Sequence, residues 1–170
     1  MIKSFFTKPK NPFLSSFSRF ASEWVNIKVS TIGKKEEPLH TQSQAANFQV
    51  HCDEPKNLGG NNKGPNPLYV TLSGLAGCEV VLLRMIAKEK KVEIGDVKMN
   101  INGKLDKSGL KGDLSVFPGF QTIEVEMKLE SKADDKLLQE VVEAASKRCP
   151  VAMMLSTNPN IKFTTKWERL

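Results

Sequence analysis

The stretch that decides the fold runs from residue 67 to residue 87 and reads PLYVTLSGLAGCEVVLLRMIA. It begins with Pro67, which favours the first position of a helix, and residues 68–87 are apolar on nearly every helical face. Such a helix either crosses a bilayer or lies at the centre of a soluble fold. Glu79 and Arg84 lie inside it and are costly in hydrocarbon. We therefore interpret it as a buried central helix, covered by a sheet or a second subunit, and expect no membrane span.

The sequence on either side of this helix alternates between strand and helix patterns. A loop rich in Gly, Pro and Asn at residues 54–66 precedes the helix. The predicted strands are residues 24–32 and 47–53, a candidate strand pair at 92–105, and residues 120–130 and 161–167. An amphipathic helix at 134–148 and a short helix at 151–156 complete the set. This order predicts an α+β fold with mostly antiparallel sheets.

The positive charge is concentrated at the N-terminus. The net charge is +6, and residues 1–21 carry Lys3, Lys8, Lys10 and Arg19 without any acidic residue. This composition, rich in Ser and Phe, predicts a mitochondrial-type transit peptide at residues 1–21, with a disordered tail as the alternative. Residues 22–170 would then form one nearly neutral domain, which argues against nucleic-acid binding. We expect a mitochondrial location, or otherwise a cytoplasmic one.

Three cysteines, Cys52, Cys78 and Cys149, are too few for a secreted disulfide framework. Cys149 directly precedes Pro150, so it is predicted to cap a new helix, where the helix dipole and free N–H groups should lower the pKa of its thiol. Arg148 would add positive charge if it points the same way. Cys78 lies in the middle of the long helix, and its pattern alone favours an inert core cysteine.

The cluster His51-Cys52-Asp53 contains residue types that zinc accepts. Neighbouring residues on a strand point to opposite faces, so the three cannot all bind one ion. We therefore expect neither a metal nor a cofactor.

Several short motifs resemble those of the OsmC/Ohr family. They occur in the family's order and cover roughly residues 24–167. In chain order they are Asp53-Glu54-Pro55, Gly59-Gly60, Gly64-Pro65-Asn66-Pro67, Gly77-Cys78, Gly109-Leu110, Pro118-Gly119-Phe120-Gln121 and Cys149-Pro150-Val151. The resemblance implies an intertwined homodimer in which antiparallel sheets from both chains wrap two long central helices.

The resemblance also implies an activity and assigns roles to two residues. Family peroxidases reduce organic hydroperoxides with a helix cysteine, which corresponds to Cys78, and its sulfenic acid is resolved by a cysteine before proline, which corresponds to Cys149. A dithiol or a lipoyl-type protein regenerates the pair.

The chain departs from the family at two activating positions. No arginine occurs between residues 23 and 78, and Leu68 and Tyr69 stand where the peroxidases carry a glutamate. This departure motivates an alternative in which the protein is a non-catalytic dimer that acts as a redox sensor or binds a hydrophobic ligand.

Overall fold

The computed structural model describes residues 24–170. The predicted transit peptide at residues 1–21 lies outside the described part of the chain and stays a prediction. The described chain begins with a three-stranded antiparallel sheet of β1 (Val29–Lys34), β2 (Glu37–Ala45) and β3 (Phe48–Cys52). A loop with one 3-10 turn, Lys56–Leu58, connects this first sheet to the long helix.

The long helix α1 spans Pro67–Glu89 and confirms the predicted helix, with two more residues at its C-terminal end. Pro67 occupies the first turn, and the Asn66 side chain caps the helix by accepting from the N–H of Leu68 at 2.8 Å. By length and composition alone, α1 could cross a membrane. Only 28% of its most apolar stretch is buried within the chain, so much of its apolar surface is exposed.

The second sheet contains β4 (Val97–Lys104), β5 (Thr122–Leu129) and β6 (Lys162–Arg169), with β5 in the centre. β4 pairs with β5 antiparallel, but β6 pairs with β5 parallel. Three of the four strand pairings are antiparallel, which confirms the predicted α+β fold with mostly antiparallel sheets, and the β5–β6 pairing is the exception. The reason is the connection, because α3 (Asp135–Arg148) and α4 (Pro150–Ser156) carry the chain back across the sheet before β6 begins.

The core lies between the second sheet and three helices. Alternate residues of β5, namely Ile123, Val125, Met127 and Leu129, are fully buried, as the alternating sequence predicts. They face α1, α3 and α4, whose buried residues are Leu75, Leu83, Ile86, Ala87, Leu138, Val141, Val142, Ala145 and Ala152. A short helix α2, Lys107–Leu110, lies in the connection between β4 and β5.

Three differences from the sequence prediction concern strands. β2 was not predicted, because Glu37–Ala45 has little apolar alternation and is held as a strand by pairing on both edges. The predicted strand pair at residues 92–105 is a single strand, β4. The predicted strand at residues 24–32 begins only at Val29.

We predict that Leu138→Ala lowers the free energy of unfolding by about 2–5 kcal/mol, because Leu138 is fully buried in the core. The measurement is urea-induced unfolding. Leu114→Ala is the matched control, since the Leu114 side chain is 99% exposed and should change stability by less than about 0.5 kcal/mol. Equal losses at the two positions would contradict the described core.

Candidate functional site

Cys149 lies at the corner between α3 and α4, where it ends one helix and caps the next. Its N–H donates to the carbonyl of Ala145 at 2.9 Å, and its sulfur accepts from the N–H of Ala152 at 3.4 Å. The residue is fully buried. The predicted capping position is therefore confirmed, and it lies inside the core rather than on the surface.

Cys78 lies on α1 and faces this corner. It packs against the apolar cluster that contains Cys149, Leu75 and Phe120, and it is close enough to Cys149 to affect the pKa of that thiol. Cys78 is only half-buried, whereas Cys149 is closed off from solvent. The fold thus brings the two cysteines named from the sequence into contact, with Cys78 nearer to the surface.

The expected low pKa of Cys149 is wrong. Burial and the interaction with Cys78 raise the pKa of the Cys149 thiol to about 11, and the single N–H of Ala152 only partly opposes them. The positive charge expected from Arg148 is directed elsewhere, because its guanidinium forms a bidentate pair with Glu89 at 2.6 and 2.9 Å. The effect of full burial on the pKa of Cys149 is therefore larger than the opposing effect of the helix N-terminus.

Glu79 is a site residue that the sequence reasoning missed. Its side chain is fully buried, and burial raises the pKa of its carboxyl while a hydrogen bond with Ser146 opposes the shift. Ser146 Oγ donates to Oε2 at 3.2 Å, and Oε1 has no partner in the described structure. The signal was present in the sequence, since Glu79 lies four residues from both Leu75 and Leu83 on the buried stripe of α1.

The described arginines, Arg84, Arg148 and Arg169, have partners away from the two thiols. Arg84 donates to the carbonyls of Ile94 and Gly95 at 3.2 and 2.9 Å. Arg148 pairs with Glu89, and Arg169 pairs with Asp135 at 2.7 Å. Residues 24–170 of one chain therefore supply no arginine to the Cys78 sulfur.

A separate polar cluster lies on the first sheet. The rings of His40 and His51 stack with centroids 5.4 Å apart and are joined by a hydrogen bond of 3.1 Å. His40 also bonds to Glu37, which Lys63 contacts as well. His40 is thus a β2 residue whose two ring nitrogens both have hydrogen-bond partners. Cys52 ends β3 beside this cluster and is half-buried, and residues 24–170 contain no group of three or more possible metal ligands.

Asp53 fixes the loop that leads into α1. Its buried carboxylate accepts from the backbone N–H groups of Glu54, Asn61 and Lys63 at 2.9, 3.0 and 3.1 Å. Burial alone would raise the pKa of Asp53, but these three donors outweigh it and lower the pKa. Gly60 is required in this loop, because a Cβ there would lie 1.9 Å from the carbonyl oxygen of Glu54.

Comparison with known proteins points to one family. A family model described as OsmC-like protein matches residues 60–164. Hydroperoxide reductases of Mycoplasma genitalium and Mycoplasma pneumoniae are 29% and 31% identical over 118 and 117 residues. These alignments cover 69% and 68% of this chain, and 79% and 78% of the relatives.

The fold also matches a solved structure. The crystal structure of an OsmC-like protein from Mycoplasma pneumoniae superposes with a TM-score of 0.75 at 22% identity. The superposition covers 86% of this chain and 98% of that one.

We predict that the buried carboxyl of Glu79 makes the protein less stable as the pH rises. Its pKa is raised above the ordinary 4.5, so this contribution to stability is complete below that value and is lost as the pH rises through the folded-state pKa. Glu79→Gln should remove this dependence, as measured by urea unfolding across pH. Glu143→Gln is the control and should keep the loss of stability at rising pH. Interactions with Gln139 and Lys147 lower the pKa of this exposed carboxyl, which is the opposite direction to Glu79. Identical pH profiles for Glu79→Gln and the unmodified protein would contradict the prediction.

Proposed function

Since the chain belongs to the family of OsmC-like proteins, we propose that it is a cysteine-based antioxidant enzyme that reduces organic or lipid hydroperoxides. The observation that carries the proposal is the packing of Cys78 on α1 against the apolar cluster that contains Cys149 at the α3–α4 corner, close enough for the two thiols to interact. Two cysteines far apart in sequence meet beside an apolar cluster, as a disulfide-forming pair must. The names of the two Mycoplasma relatives support the substrate class.

Cys78 is the residue that attacks the hydroperoxide. It is half-buried, so a substrate can reach its sulfur, whereas Cys149 is sealed in the core. The Cys78 thiolate attacks the terminal peroxide oxygen, the O–O bond breaks, and the alkoxide leaves and takes a proton to become the alcohol. Cys78 is oxidised to a sulfenic acid.

Cys149 resolves the sulfenic acid. Its sulfur attacks the sulfur of Cys78, the S–S bond forms, and the hydroxyl of the sulfenic acid leaves as water. The contact between the two residues means that this step needs little movement of the backbone. An external dithiol, of the lipoyl type in the family resemblance, then reduces the disulfide and returns both thiols.

We predict that Cys78→Ser abolishes turnover of cumene hydroperoxide with a dithiol reductant, because it removes the attacking sulfur. Cys149→Ser should still consume one equivalent of hydroperoxide and leave a sulfenic acid at Cys78, which dimedone labelling followed by mass spectrometry detects. Cys52→Ser is the control and should keep full activity, since Cys52 lies on the first sheet. Full activity in Cys78→Ser would reject the proposed role.

A second function is supported by one observation, the engagement of every described arginine away from the thiols. Without a guanidinium beside it, Cys78 lacks the fork-shaped cation that holds a thiolate firmly. On this alternative the protein is a non-catalytic dimer that senses oxidants or binds a hydrophobic ligand. Absence of turnover in the unmodified protein, with Cys78 still forming a disulfide on oxidation, would favour the sensor.

We also propose that the protein works as an intertwined homodimer. One face of α1 exposes Val81 and Met85 by 55% and 51%, and a Cβ added at Gly74 or Gly77 on this helix would meet nothing within 4 Å. Glycine weakens a helix interior, so two glycines facing open space are explained by the close approach of another helix. In a symmetric dimer, the helix that approaches these glycines is α1 of the second copy.

The first sheet supports the same arrangement. All six residues of β1 are exposed, and Val29 and Phe48, which lie on the same face of the sheet on either side of Ala45, have exposed fractions of 55% and 76%. An apolar sheet face left open in one chain is covered when it wraps around the helices of a partner. In a dimer, the exposed sheet of each chain would cover exposed apolar surface of the other chain.

We predict a solution mass of twice the chain mass of 18.9 kDa, as measured by light scattering or ultracentrifugation. Gly77→Leu should raise the dissociation constant by about tenfold or more, because the new side chain fits in the single chain but blocks helix approach. Lys132→Leu, also an exposed position, is the control and should dissociate like the unmodified protein. A monomeric unmodified protein would contradict the proposed assembly.

A further inference from the structure

The first sheet carries a chain of polar side chains that ends in two histidine rings. Lys63 contacts one carboxylate oxygen of Glu37, and the other oxygen lies 2.9 Å from Nδ1 of His40. Nε2 of His40 lies 3.1 Å from Nδ1 of His51, and the planes of the two rings differ by only 9°. These two rings, which we call the imidazole pair, join β2 to β3.

The partners of the rings determine where their protons lie. Glu37 is a carboxylate at neutral pH, because its contacts with Lys63 and His40 lower its pKa. It therefore accepts, and Nδ1 of His40 donates. In a neutral His40, Nε2 has no proton and accepts, so Nδ1 of His51 is the donor in the bond between the rings.

One added proton leaves the hydrogen bonds of the imidazole pair intact. The proton belongs on Nε2 of His40, since this ring is bonded to the Glu37 carboxylate. The bond between the rings then reverses, because His40 donates and Nδ1 of His51 accepts. His51 keeps its own proton on Nε2, and every polar atom in the chain of bonds still has a partner of the right kind.

A second added proton has no such place. When both rings are charged, every ring nitrogen carries a hydrogen atom, so Nε2 of His40 and Nδ1 of His51 are both donors at 3.1 Å. Two positive charges also repel each other where the His40 side chain is only 12% exposed, and little water is present to screen them. The second proton therefore breaks the bond between the rings.

The charged groups around the imidazole pair favour the first charge over the second. On β2, the Glu37 carboxylate bonds to His40 and is shared with Lys63 of the loop. Just after β3, burial raises the pKa of Asp53, but three backbone N–H groups and the nearby His40 lower it on balance. Lys34 of β1 lies opposite Glu37 in the sheet and adds positive charge. Both carboxylates thus stabilise a charge on His40 more than one on the β3 ring.

The loop at residues 54–66 is packed directly onto this place. A Cβ at Gly64 would lie 2.5 Å from the carbonyl oxygen of His51, so the loop backbone runs over that residue. Lys63 of the same loop contacts Glu37. The loop leads into α1, and a displacement of the His51 ring would reach it through both contacts.

We propose that His40 and His51 form an acid-sensitive switch that fastens the loop at residues 54–66 to the first sheet. The imidazole pair takes up one proton with its hydrogen bond intact, and a second proton breaks this bond and loosens the loop. The inference stands apart from the peroxidase function proposed above.

Histidine is suited to such a switch, because its side chain changes charge in the range of about pH 5–8. The lowered pKa values of Glu37 and Asp53 keep both carboxylates ionised in that range. The three backbone N–H groups bonded to Asp53 therefore stay in place, so the loop loosens from the sheet without unfolding.

The first test is a proton NMR titration of the two histidine rings in the full chain. The sequence contains two histidines, so one variant assigns both signals. We expect two separate steps, with His40 charged first and His51 second. In His40→Gln, which removes the neighbouring charge, the midpoint for His51 should lie about one pH unit or more higher. Equal midpoints for His51 in the two proteins would overturn the proposal.

Glu37→Gln tests the order of the two steps and retains both rings. Without the carboxylate, the first step should move to lower pH, because the charge on His40 loses its partner. Glu36→Gln is the matched control, since Glu36 is the exposed neighbour, and it should leave both steps unchanged. A first step that stays in place in Glu37→Gln would count against the assigned roles of the two rings.

The release of the loop is measured by hydrogen–deuterium exchange, corrected for the intrinsic pH dependence of amide exchange. Exchange at residues 54–66 should rise by about tenfold or more as His51 becomes charged, while β5 stays protected. His51→Gln should abolish the rise, because glutamine bonds to His40 without taking a charge. No rise in the unmodified protein, or the same rise in His51→Gln, would show that the imidazole pair does not fasten the loop.

Discussion

The packing of α1 against the α3–α4 corner is the constraint on which the site depends. It buries Leu75, Glu79 and Leu83 of α1 and places Cys78 against Cys149. The corner itself is fixed by backbone hydrogen bonds that Cys149 makes in both helices, to Ala145 and from Met153. The thiol contact is thus a consequence of helix packing, so a change in the angle between α1 and α3 would separate the two sulfurs.

The long helix was predictable because its composition admits few alternatives. A run of about 20 apolar residues that contains glycines and a glutamate has to be covered on all sides, and Pro67 and Asn66 determine where it begins. The alternation in β5 likewise predicts which side chains face the core. Strand β2 could not be predicted in this way, because its residues are mostly polar and show no apolar alternation. Its extended conformation depends on hydrogen bonds with β1 and β3, which the sequence of β2 does not reveal.

The pKa of Cys149 and the burial of Glu79 were harder to predict from the sequence than the identity of the two cysteines. The motif Cys149-Pro150 predicts a helix cap, but the pKa of a capping thiol depends on how much water remains around it. Here burial raises that pKa, and Arg148 forms its ion pair with Glu89 on the surface. The burial of Glu79 depends in the same way on tertiary packing, because the residue after Cys78 is covered only when α3 packs against that face of α1.

The contrast in burial between the two thiols imposes an order on their chemistry. Cys149 is fully buried and its proton is held by burial and by Cys78, so a substrate that cannot enter the core meets Cys78 first. In the proposed reaction, oxidation of Cys78 to a neutral sulfenic acid then removes a charge that helped to keep the proton on Cys149. Under the proposed function, the apolar packing around Cys149 therefore makes its reaction conditional on the oxidation of Cys78. A resolving cysteine protected in this way would react with its partner rather than with oxidants in solution.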